Sequence, residues 1–93
     1  MNRIELNFNK STTSLAGFPY GETIYHKQVE NKVVFGEPIT IVFPKQIERI
    51  ASSFVQGFFS EFVDAIGYEG VEKQVTILSG TEELTESIKK NIY

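Results

Sequence analysis

Ninety-three residues allow one domain with a thin single core, because a chain this size hides only roughly 60–65% of the surface its unfolded form exposes. An apolar fraction of 41% with 23% charged residues argues against disorder, and zero Cys excludes disulfides, iron–sulfur clusters and thiol nucleophiles. A net charge of −3, with nine Lys and Arg scattered along the chain, lacks the basic stripe of a nucleic-acid binder.

Taken in chain order, Ile4, Leu6 and Phe8 alternate with Glu5 and Asn7, which predicts a strand over Arg3–Phe8 with one buried face. Lys10–Ser14 carries four hydroxyl residues in succession and reads as a loop. Gly17-Phe18-Pro19-Tyr20-Gly21 is a turn cluster leading into a short helix over Tyr20–Val29, with Ile24, Tyr25, Gln28 and Val29 on one stripe. Val33-Val34-Phe35 has strand propensity but is closed quickly by Gly36 and Pro38. Paired as an edge strand, it would let two copies join through their sheets into a homodimer.

Ile39–Phe43 is an unbroken run of five β-formers, which predicts a central strand with both faces covered by helices, stopped at Pro44. Ser53–Ile66 is the strongest helix signal. Phe54, Val55, Phe58, Phe59, Phe62, Val63 and Ile66 line one side and Gly67 is placed to end it. The Phe stripe at 54, 58, 59 and 62 reads as core, and it would make a docking patch only if its width left Phe58 or Phe62 exposed. A second strand is expected over Val71–Leu78. The turn Ser79-Gly80-Thr81 then opens a last helix near Glu82, with Leu84, Ile88 and Ile92 inward, acids early and lysines late. The order β-α-(β)-β-α-β-α defines a small α/β domain with a mixed, mostly parallel sheet and helices packed on it.

In open α/β sheets, ligands and partners gather beyond the carboxyl ends of the strands. Three hydroxyl-rich connections, Lys10–Ser14, Pro44–Ser53 and Ser79–Thr81, are expected to leave that edge together. Ser52 and Ser53 read first as N-caps of the aromatic helix. Their functional reading is phosphorylation at a helix start, where the dipole accommodates a phosphate that a docked partner would not. The turn Ser79, Gly80 and Thr81 reads chiefly as a cap, and with Phe54 it forms the expected partner-binding edge. His26 is the lone histidine and, with no Cys beside it, supports neither a metal site nor a Ser–His triad. Glu82–Glu83 and Glu69–Glu72 read as a helix start and a solvated turn rather than an acid/base pair.

The stretch Ile39–Phe43, then Ile47 and Ile50, then Ser52-Ser53-Phe54 opening an apolar helix, resembles the STAS domain of anti-sigma factor antagonists. It is more similar to the STAS-like family DUF4325, and the likeness extends over about residues 15–93. The resemblance implies a cytoplasmic regulatory module without catalysis or cofactor. Its partner would be a kinase-like ATPase or another regulatory protein, in a bacterial or phage system. Carried over, the phosphorylatable hydroxyl is Ser52 or Ser53. Two positions depart from the antagonist pattern: Ala51 stands where an Asp precedes the hydroxyl pair, and Phe54 where a Gly follows it. The alternative reading is a small inhibitor that occludes a larger enzyme, presenting Glu82, Glu83 and Glu86 to a basic nucleic-acid channel. No direct nucleic-acid or membrane contact is expected, since no apolar run approaches the roughly 20 residues a bilayer requires.

Overall fold

The run Ile39–Phe43 determines the architecture, and the computed structural model, which describes residues 2–92, places it at the centre of the sheet. In chain order the elements are β1 (Asn2–Glu5), β2 (Ser14–Leu15), α1 (Phe18–Gln28), β3 (Ile39–Val42), β4 (Arg49–Ile50), α2 (Ser52–Gln74), β5 (Val75–Leu78) and α3 (Glu82–Ile92). The main sheet has the order β1-β3-β5, and a second, two-stranded sheet pairs β2 with β4. Every ladder is parallel, with Ile4 opposite Ile41 and Ile41 opposite Ile77. This is a small α/β domain.

The sheet is covered on one face only, which corrects the expectation of helices on both sides. Ile4, Leu6, Ile39, Ile41, Phe43, Val75 and Ile77 are buried towards the helices. The register places Arg3, Thr40 and Thr76 in one row of the opposite face and Glu5, Val42 and Leu78 in the next. Of these Arg3, Glu5, Thr76 and Leu78 are exposed. Thr40 is shielded because it sits between two neighbouring strands, so β3 reads as continuously apolar while its outer face has no layer above it. A wholly parallel sheet with one open face is uncommon.

Helix α2 carries the core: Phe54, Val55, Phe58, Phe59 and Phe62 are all essentially inaccessible, so neither Phe58 nor Phe62 forms a surface patch. Their width is absorbed because α1 and α3 both flank α2 in the same layer. Tyr25 of α1 meets Phe58 and Phe62 edge-on at 6.2 and 5.5 Å, and Phe58 meets Phe59 edge-on at 4.9 Å. Such pairs are worth about 0.5–1.5 kcal/mol each beyond the area they bury.

Gly67 interrupts α2 with φ 72° and ψ 171°, as its position in the sequence implies. The chain then resumes a helical turn to Gln74, so β5 begins at Val75 rather than Val71. Val33–Phe35 forms no strand and belongs to the loop between α1 and β3, with the Phe35 ring against Phe62 at 5.6 Å. The sheet-to-sheet pairing expected there has no strand to carry it.

α1 and α2 run side by side in one direction and touch through glycine. A methyl group on Gly21 would collide with the carbonyl oxygen of Phe54 and come within 2.7 Å of the Phe58 nitrogen. One on Gly57 would collide with the carbonyl of Phe18. Backbone cannot yield as a flexible side chain can. Gly57→Ala and Gly21→Ala should each lower stability by at least about 2 kcal/mol in urea denaturation, despite the roughly 1 kcal/mol that Ala gains over Gly in a helix. Gln56→Ala, on the exposed side of the same helix, should stay within about 0.5 kcal/mol of the parent.

The same interface holds the Tyr25 phenol, pushed up to about 12 by burial and, secondarily, by the carboxylates of Glu61 and Glu30. The folded state therefore keeps a proton that the unfolded chain releases near pH 10. Its contribution to stability is complete below pH 10 and is lost as pH rises towards 12. Tyr25→Phe should flatten the stability loss over that window, measured by denaturation at stepped pH with tyrosinate absorbance as the monitor.

Candidate functional site

Each of the first two strands of the main sheet runs on through a loop into a short second strand and then a helix. These two excursions pair through β2 and β4, Ser14 opposite Arg49 and Leu15 opposite Ile50. Leu15, Ile47 and Ile50 are buried and anchor this upper tier to the core. The Gln46 side-chain amide donates to the carbonyls of Asn9 and Thr12 at 2.6 and 3.0 Å, and Glu48 N–H donates to the Thr13 carbonyl at 2.7 Å. Gly80 lies so close to the second loop that a Cβ there would stand 3.2 Å from the Lys45 carbonyl. The three connections therefore do converge. The sequence reading missed β2 and β4, each two residues long; the buried Ile47 and Ile50 were the available signal.

Within this assembly the hydroxyl groups divide by task. Ala51 occupies the N-cap of α2 and gives it no side-chain cap, so neither Ser52 nor Ser53 caps the helix. The reason is local: Ala51 is held by its own N–H, which donates to the Leu15 carbonyl at 2.8 Å, and the helix begins one residue earlier than the apolar pattern. The Ser53 hydroxyl instead accepts the Gly17 N–H at 3.0 Å, tying the entry of α1 to the start of α2. Ser52 projects into solvent at the first helical position.

The third connection behaves as the sequence implies. Thr81 caps α3 by accepting the Leu84 N–H at 3.1 Å. Ser79 donates to the Thr81 carbonyl at 2.8 Å, which leaves Thr85 as donor in the 2.7 Å contact between the Ser79 and Thr85 hydroxyls. Phe54 is fully buried and forms no part of an accessible edge. The exposed aromatic rings at the neighbouring helix start belong to α1: Phe18 and Tyr20 are 41% and 39% accessible, and Tyr20 leans edge-on against Phe54 at 5.6 Å. His26, elsewhere on α1, is exposed, with Nδ1 3.1 Å from Glu30.

The two neighbouring helix starts thus each carry exposed residues, Ser52 on α2 and Phe18 and Tyr20 on α1, with Arg49 exposed just upstream of α2. The first turn of α2 contains no acidic residue. Comparison with known protein families, with curated proteins and with solved structures returned no match. No helix among the described residues is long and apolar enough to cross a membrane.

Removing the Ser53 hydroxyl leaves the half-buried Gly17 N–H without its acceptor. Ser53→Ala should cost about 1–2 kcal/mol in chemical denaturation, while Ser52→Ala should fall within about 0.5 kcal/mol of the parent. Equal losses at the two positions would contradict this division of roles.

Proposed function

We propose that this chain is a non-catalytic regulatory module of the STAS-like kind, which docks a partner protein at the paired starts of α1 and α2. The observation that carries the reading is the exposure of Ser52 at a helix start without a side-chain cap, with Phe18 and Tyr20 exposed at the start of α1, which the Ser53–Gly17 bond ties to it. An aromatic pair on a rigid scaffold is a common anchor in protein interfaces. A phosphate on Ser52 would meet the amide groups and the positive dipole end of α2, so the module would tolerate it while a docked partner would lose its contact. Ser52 rather than Ser53 is the switch position in this reading, because modification of Ser53 would break the tie to Gly17. The departures Ala51 and Phe54 fit a changed role for those neighbours, one as a backbone link and the other as core. The partner is a kinase-like ATPase or a related regulator, and the setting a cytoplasmic bacterial or phage system.

The test is affinity capture from the native host, with wild type, Ser52→Asp and a Phe18→Ala/Tyr20→Ala double variant compared, and the captured proteins identified by mass spectrometry. The expected result is an ATPase-like regulator retained by wild type and lost by at least tenfold in both variants, each still folded by circular dichroism. Capture that ignores these changes but collapses on reversing Glu82, Glu83 and Glu86 would replace the switch with an occluding inhibitor.

A further inference from the structure

The helix layer is wider than the sheet it covers. Neighbouring strands stand about 4.8 Å apart, whereas packed helices need about 8–10 Å. Here three helices share one layer, α1 against α2 and α2 against α3, under only three main strands. Helix α3 therefore reaches past β5, the last strand. Its inner face is apolar, with Leu84, Ile88 and Ile92 buried.

Between the free edge of β5 and α3 runs an open trough. One stretch holds about 400 Å³ over Val71, Val75, Ile77 and Ile92, with Glu72, Lys89 and Lys90 on its rim. It continues through Thr76, Ile77 and Lys89 into about 540 Å³ beside Leu78, Glu82 and Glu86. Among the described residues β5 pairs with β3 alone. The Leu78 carbonyl points to β3, where it accepts the Phe43 N–H at 2.8 Å. By strand alternation the Ile77 N–H and carbonyl and the Val75 carbonyl point the other way, into the trough. The Val75 N–H is already used by the end of α2, donating to the Val71 carbonyl.

We infer that this trough is a docking site for one extended segment of a partner protein, which adds to the edge of β5 as a fourth strand above α3. Main-chain groups supply the attraction and side chains the selectivity, as in other strand additions. The rim charges give the segment its polarity: Lys89 and Lys90 outnumber Glu72 at the Val75 end, and Glu82 and Glu86 outnumber Lys89, which lies 4.0 Å from Glu86, at the Ser79 end, so carboxylates suit the first end and basic residues the second. A second copy of this chain does not fit the same slot. Two-fold pairing of β5 with itself would bring two overhanging α3 helices into one space. The surface is separate from Ser52, so the inference does not rest on the proposed switch.

The probe is a synthetic peptide, Asp-Asp-Val-Thr-Val-Thr-Lys-Lys, titrated into the nitrogen-15-labelled full chain. The expected result is a saturable shift of the amides of residues 75–78 with slowed hydrogen exchange at Ile77, unchanged in Ser52→Asp. Lys89→Glu/Lys90→Glu, both exposed positions, should weaken binding about tenfold with the fold retained by circular dichroism. A peptide with lysines at both ends should bind at least tenfold more weakly. No response at residues 75–78, equal binding of the two peptides, or self-association that produces the same shifts without peptide would each overturn the inference.

Discussion

The closest constraint in the molecule is the contact of α1 with α2 through Gly21 and Gly57. Backbone carbonyls of one helix occupy the space where the other would carry a methyl group. That proximity lets Tyr25 reach over Phe58 and Phe62 and draws Gly17 within hydrogen-bonding distance of Ser53. Because each helix follows a short strand of the upper tier, the same contact brings β2 alongside β4. Core, tier and candidate site are thus consequences of one interhelix distance.

Against this close packing on one side stands an unusual openness on the other. The sheet buries its inner face under aromatic side chains and leaves Arg3, Glu5, Thr76 and Leu78 in water. Arg3 and Glu5 come within 3.7 Å of each other, both largely exposed, so the pair adds little stability. What keeps a three-stranded parallel sheet folded with one bare face is the density of the helix layer, where five side chains of α2 are sealed between two neighbouring helices and the strands.

Much of this was legible in the residues. Five β-formers in a row located the central strand, the aromatic stripe located α2, and Gly67 and Thr81 marked a helix break and a helix start. Three features were not legible, each for a physical reason. A two-residue strand such as β2 has no periodicity to detect, because its partner β4 is supplied by a loop more than 30 residues away. Val33–Phe35 has strand propensity, but Phe35 is spent against Phe62 rather than on a ladder. Serine before an aromatic helix suggests a cap, yet Ala51 takes that position because its N–H is bound by Leu15 across the small sheet. In the candidate site, the sequence indicated Ser52 and Ser53 as a pair, and only the tertiary bond to Gly17 distinguishes them.

That distinction bears on how such a module can be regulated. Several hydroxyls at the converging loops are engaged in holding the structure together: Ser53 binds Gly17, Thr81 caps α3, and Ser79 binds Thr85 of α3. Modification at any of these would act on the fold first and on a partner second. Thr81 is also exposed at a helix start, but its hydroxyl is the cap of α3; a charge added at Ser52 changes the surface while each of these bonds is kept. On the proposed reading, a reversible switch in a domain with so thin a core has to work without spending stability, and modification at the first residue of α2 would meet that condition.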